Sequence, residues 1–286
     1  MTDHQALTEF ISVPREGMEV FCIGRSILGR DIPVISLGKG ERAVLYVGGI
    51  RGTQSGASGL LLEFVRDYLQ QYERNATVYE YAMQYLFCER RIFVLPMLDP
   101  DGIAYALHGA SPENPLAQRV ERMQAGSELS AWQANARGVD LQHNFAAGFQ
   151  KRKQKERSLG IVGGAPQGYG GEFPESEPET VAVGRFLRHY RDRLTGVLAL
   201  HPGAGEVRCC CGDHMTAKCM AAGRVLSRMT GCDMIRPEEV LAEGGLTEWC
   251  VNALSRPAFD LCYREEGAEL EYARLRRALF SFPCIV

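Results

Sequence analysis

Short apolar runs alternate along the chain with longer stretches in which apolar positions recur at helical spacing. The runs PVISLG (33–38), AVLYVGG (43–49), RIFVLPML (91–98), LTGVLALH (194–201) and PAFDLCY (257–263) read as buried strands. Helix-like stretches cover Ala57–Gln71, Pro178–Arg193, Thr216–Thr230 and Leu246–Leu254. Strand and helix in alternation predict an α/β fold with helices on both faces of a sheet. The helix at Pro178 has a proline for its first turn, Ser176 as a cap, and Glu177 and Glu179 at the positive end of its dipole. Residues 150–170 begin basic and end glycine-rich, which predicts a solvated loop. No repeat or linker divides the chain, so residues 1–286 are expected to form a single domain.

At 286 residues the chain is long enough for one large core, and 45% hydrophobic with 23% charged residues is ordinary for a globular protein. A net charge of −3 gives no global pull toward nucleic acid or membrane. No apolar run approaches the roughly 20 residues of a membrane span. The start MTDHQALTEF has neither a basic lead nor an apolar core, so a cytoplasmic protein is expected. Ten cysteines then read mostly as small buried hydrophobes rather than a disulfide framework. Cys209, Cys210 and Cys211 are adjacent, whereas tetrahedral metal sites space their cysteines by two to four residues. Trp132 and Trp249 are expected in or near the core.

The candidate chemistry begins at GGIRGTQ (48–54), where the glycines leave an apolar strand at the end that carries ligands in α/β sheets. Further stretches follow: LPMLDPDG (95–102), NARGVDLQHNF (135–145), FPESEPET (173–180), LALHPGAG (198–205) and GGLTEWCVNALSRPAFDLCY (244–263). In this order and spacing they resemble the zinc carboxypeptidase family, peptidase family M14. The pattern is particularly similar to bacterial members that cut γ-D-glutamyl bonds in peptidoglycan stem peptides. The resemblance runs from about Ile23 to Tyr263. It implies a three-layer α/β/α fold with a mixed central sheet, and a zinc ion held by two histidines and a glutamate. It also implies a separate glutamate that relays protons.

Carried over position by position, the resemblance places the first ligand histidine on Arg51 and the ligand glutamate on Gln54. The third ligand falls on His201, which is retained, and the catalytic glutamate falls on Cys262. The substrate-holding Asn-Arg pair falls on Gln142 and His143, with Arg137 in the same stretch. Gly138, Val139, Asp140, Leu141, Asn144 and Phe145 around them are kept. A guanidinium has no lone pair for a metal, and a neutral amide is a poor zinc ligand.

The resulting expectation is a pseudopeptidase, with no zinc unless the site has been rebuilt, that binds a peptide or peptidoglycan-stem fragment. Arg51 would then meet a ligand carboxylate or phosphate, or only plug the vacant site. His143, lacking the arginine fork, would hold a terminal carboxylate less firmly. One alternative is a hydrolase in which Cys262, His201 and His143 form a thiol or metal site. Another is a working metallopeptidase whose ligands come from Glu206, His214, Glu265 or Glu266 after a slip in register. A one-residue slip in a strand turns the side chain to the other face. No nucleic-acid or membrane partner is expected, and the sequence gives no oligomeric state.

Overall fold

The apolar runs assemble into one mixed sheet in a computed structural model of the chain. The structure describes every residue except 1, 112, 127, 211–216, 236–242 and 266, and leaves out the side chains of 210 and 268. The strands are β1 (Met18–Arg25), β2 (Asp31–Leu37), β3 (Arg42–Val47), β4 (Thr77–Val78), β5 (Tyr81–Ala82), β6 (Arg90–Leu95), β7 (Leu194–Pro202), β8 (Glu206–Cys210), β9 (Asp233–Ile235) and β10 (Ala258–Tyr263). All but the small β4–β5 pair join one sheet in the order β1-β2-β6-β3-β7-β10-β8-β9. Its centre, β6-β3-β7-β10, is parallel, whereas β1-β2-β6 and β10-β8 are antiparallel.

The helices are α1 (His4–Ser12), α2 (Ser55–Glu73), α3 (Met83–Glu89), α4 (Pro100–His108), α5 (Ala117–Gln124), α6 (Phe149–Ser158), α7 (Pro178–His189), α8 (Ala217–Thr230), α9 (Leu246–Leu254) and α10 (Ala268–Ile285). They cover both faces because the central strands are apolar on both. Val44 and Tyr46 of β3 join a core built with α2, α8 and α10, while Ala43, Leu45 and Val47 join one built with α7 and α9. The Tyr46 hydroxyl donates to the Leu279 carbonyl at 2.6 Å, tying β3 to α10. Trp132 and Trp249 are buried as expected. No helix among the described residues is long and apolar enough to cross a membrane.

The expected strands all form, each shifted by at most a few residues, and α9 spans the residues expected of it. Three expectations need correction. Residues 149–158 are helical rather than a loop, because Phe149, Arg152 and Glu156 share a buried face and the charges are paired. Arg152 and Lys155 both reach Glu243, at 3.0 and 2.7 Å. Helix α7 stops at His189, since the turn Tyr190–Arg193 leads directly into β7. Ser176 does not cap α7: Glu177 holds the cap position without a side-chain bond, and the Ser176 hydroxyl donates to the Glu177 carboxylate. Glu179 lies in the first turn of α7 as expected, but it is fully buried and accepts from the Ile27 amide at 3.2 Å. The expected start of α8 at Thr216 lies outside the described residues, as do Cys211, His214 and Glu266.

Candidate functional site

The parallel strands β3, β7 and β10 end side by side, and the turn after β3 lines a cavity together with the ends of β7 and β10. After β3 the chain turns at Gly48 and Gly49. Gly49 has φ +57°, and a Cβ there would lie 2.6 Å from the Ser58 hydroxyl. The turn delivers Arg51 and then Gln54, which precedes α2. Gln54 is 3% exposed, and its Oε1 accepts from the amides of Ile50 at 3.1 Å and Arg51 at 3.3 Å. Its Nε2 lies 3.0 Å from Nδ1 of His201 at the end of β7. His201 Nε2 lies 3.1 Å from Asp260 Oδ1, and Thr247 donates to Asp260 Oδ2 at 3.0 Å.

Arg51 turns toward the Gly138–Phe145 stretch. Its Nε donates to Asp140 Oδ1 at 2.9 Å, and one terminal nitrogen lies 3.3 Å from His143 Nε2. Asp140 also accepts from the amides of Gln142 and Gly168. Burial pushes its carboxyl up, but the Arg51 guanidinium and these bonds outweigh that and hold it below the ordinary carboxylate value. His143 Nδ1 is 2.8 Å from the Glu243 carbonyl. Burial and Arg51 push its imidazole down, with Asp140 opposing. The kept residue Asn144 serves the scaffold. Its amide donates to the Gly170 carbonyl and the Ser176 hydroxyl, and its oxygen accepts from Thr180.

Cys262 pairs in register with His201 on one side and with Glu206 of β8 on the other, so the three positions form a row across the sheet. Asp260 lies two residues earlier on the same face, opposite Arg208. The Cys262 thiol is 6% exposed, and burial together with Asp260 pushes it up to about 12, against a smaller opposing pull from Arg208. It is therefore protonated at neutral pH, and both ring nitrogens of His201 already face other partners. Neither feature supports the alternative of an activated Cys–His nucleophile.

Arg51, Gln54, His143, His201, Asp260 and Cys262 line a cavity of about 650 Å³ together with Gln142, Glu243, Gly245 and Glu248. Burial and the Asp260 charge push the Glu248 carboxyl up to about 8. Gln142 Oε1 is buried there with no partner among the described residues. The structure thus brings together Arg51, Gln54, Gln142, His143, His201 and Cys262. It does not bring in Arg137, which lines a separate cavity of about 290 Å³ and pairs with Glu177 at 3.6 Å. Asp140, Asp260, Thr247 and Glu248 went unrecognised as site residues. For Asp260 the signal was present, because period two places it on the face of Cys262.

The donor set does not suit the family's zinc. Arg51 offers no lone pair, and the Gln54 oxygen is committed to two backbone amides. Among the described residues, no three His, Cys, Asp or Glu side chains are grouped to hold a metal ion.

A model of the zinc carboxypeptidase family, peptidase M14, matches residues 7–214. Gamma-D-glutamyl-L-diamino acid endopeptidase 1 of Lysinibacillus sphaericus is 25% identical over 238 residues, which is 83% of this chain and 58% of that protein. The chain spans about half the length of the curated relatives it matches. Among solved structures, thrombin activatable fibrinolysis inhibitor superposes with a TM-score of 0.72 at 18% identity, over 99% of this chain and 73% of its own. Murein-tripeptide amidase MpaA from Escherichia coli O157 gives 0.57 at 18% identity, over 92% and 91%. These two likenesses speak for the fold.

Proposed function

Because the chain belongs to the zinc carboxypeptidase family, peptidase M14, we propose that it keeps that fold's cleft as a binding site and has given up zinc-dependent hydrolysis. Its ligand is a peptide or peptidoglycan-stem fragment held by a carboxylate. The carrying observation is Arg51. Asp140 and His143 engage two of its nitrogens, and its side chain stays 24% exposed at the cavity. A guanidinium has five N–H donors, so donors remain for a ligand anion. Gln142 Oε1, buried and unpartnered among the described residues, suits a peptide N–H of the same ligand. The substrate class is taken from one relative, named as a γ-D-glutamyl-L-diamino acid endopeptidase.

The test is calorimetric titration with a γ-D-glutamyl peptide bearing a free carboxyl end and with its amidated twin, with and without added zinc. The free peptide should bind at least about tenfold more tightly, the worth of one hydrogen bond to a charged group. Arg51→Met should remove that preference, and no cleavage product should form. Chelator-sensitive cleavage would overturn the loss of hydrolysis. Equal binding of the two peptides, or binding of neither, would overturn Arg51 as the anchor.

A further inference from the structure

We infer that Gln54 closes this site to metal by fixing which nitrogen of His201 carries the ring proton. The inference rests on the reading that zinc chemistry is absent, and it explains how the chain's own side chains took over the space of a ligand set.

The orientation of the Gln54 amide is set from the backbone side. Two N–H groups, of Ile50 and Arg51, point at one of its terminal atoms, which must therefore be the oxygen. The NH2 group is left facing His201 Nδ1 at 3.0 Å. That group can only donate, so Nδ1 must present its lone pair, and the proton of the neutral ring sits on Nε2. Nε2 in turn faces Asp260 Oδ1 at 3.1 Å, an acceptor. The Thr247 hydroxyl occupies the other Asp260 oxygen at 3.0 Å. Gln54, His201, Asp260 and Thr247 thus form one relay with a single consistent assignment of protons. All four are buried, with Gln54 3%, His201 7%, Asp260 7% and Thr247 0% exposed.

The lone pair that would ligate a metal is therefore already used. It points toward position 54 and is met there by an amide N–H. Turning that amide away breaks its two backbone bonds at the start of α2, and burial leaves no water to replace them. Gln54 acts through His201 and the turn, as a positioning residue rather than a weakened ligand.

The test uses the natural chain with 15N-labelled histidine, the His201 signals being assigned by their loss in His201→Ala. The NMR pattern should show His201 protonated at Nε2 with Nδ1 as a hydrogen-bonded acceptor. In Gln54→Ala the acceptor signal should shift or divide between two ring forms. After incubation with excess zinc and desalting, the natural chain should retain no stoichiometric metal. Three results would each overturn the inference: a ring protonated at Nδ1, a pattern unchanged in Gln54→Ala, or bound zinc that His201→Ala removes. If Gln54→Ala does not fold, the spectrum and zinc content of the natural chain decide alone. Peptide binding is measured separately, so either proposal can fail without the other.

Discussion

Arg51 Nε lies 2.9 Å from Asp140 Oδ1, although 89 residues separate them along the chain. By the family resemblance, Asp140 belongs to a stretch whose pattern is kept, and Arg51 falls where the family has a ligand histidine. The carboxylate is 1% exposed and also holds the Gln142 and Gly168 amides, so it was in place to accept a new cation. Arg51 and Asp140 thus form a largely buried ion pair at the position that the resemblance assigns to a ligand. Removing one half of such a pair is costly because the other is left charged and buried.

Arg51→Met should therefore destabilise the protein by about 3 kcal/mol, the low end for a broken buried pair, since Arg51 keeps some exposure. Urea unfolding at neutral pH measures it. The pH dependence gives a second reading. The folded Asp140 carboxyl is depressed, so its contribution is fully present above the unfolded value of 3.8 and is lost as pH falls below it. Unfolding curves of the natural chain from pH 5 down to pH 2 should show that loss, and Arg51→Met should show less of it. Equal stability of both proteins across the range would mean the pair contributes nothing.

Glu179 has the opposite sign. Burial, with the Asp101 and Glu177 charges, raises its carboxyl to about 8 from an ordinary 4.5. Between those values the folded chain holds a proton that the unfolded chain lacks, so this group's contribution falls as pH rises through the window. Glu179→Gln keeps an oxygen for the Ile27 amide and cannot ionise. It should flatten the decline in stability between pH 5 and 9 by on the order of 3 kcal/mol. Glu248, also raised to about 8, still titrates in both proteins, so the difference between the two curves isolates Glu179. Parallel curves would count against a neutral Glu179.

Cys262 should be a slow thiol. Reaction requires the thiolate, and this group is buried and raised to about 12, whereas Cys22 and Cys88 are exposed. Limited iodoacetamide at pH 7.5, followed by peptide mass analysis, should label Cys22 and Cys88 at least about tenfold faster. Faster labelling of Cys262 than of either would restore a thiol-based activity as a reading of this site.

The sequence carries the sheet's centre and the positions of Arg51, Gln54, His201 and Cys262, because buried parallel strands are apolar throughout and ligand positions sit at their ends. Edge strand β1 escaped it: its residues are partly buried or exposed, without clean alternation. The partners of the replaced residues escaped for another reason. Asp140 and Asp260 look like ordinary frame residues in one dimension, and only the fold shows that Arg51 and His201 reach them. Arg137 shows the converse, standing near Gln142 in sequence but opening on a different cavity.

Helix α6 forms where its charge run predicts a solvated loop, and its stability should depend on the pairs that outweigh this composition. Only Phe149, Arg152 and Glu156 are buried along it, so the apolar contribution is small. Arg152 and Lys155 both bond Glu243, whose carboxyl is held below its usual range by these cations despite partial burial. Glu243→Gln removes that charge and leaves Arg152, 5% exposed, with Glu156 as its acidic partner. The helix should then open more often, and trypsin should cut within residues 151–157 several-fold faster than in the natural chain. Opening of a local segment raises cleavage without global unfolding, so the midpoint of urea unfolding should move much less. Added salt should narrow the gap between the two proteins by screening the pairs in the natural chain. Equal cleavage at low salt would show that packing of Phe149, rather than the ion pairs, holds α6 in place.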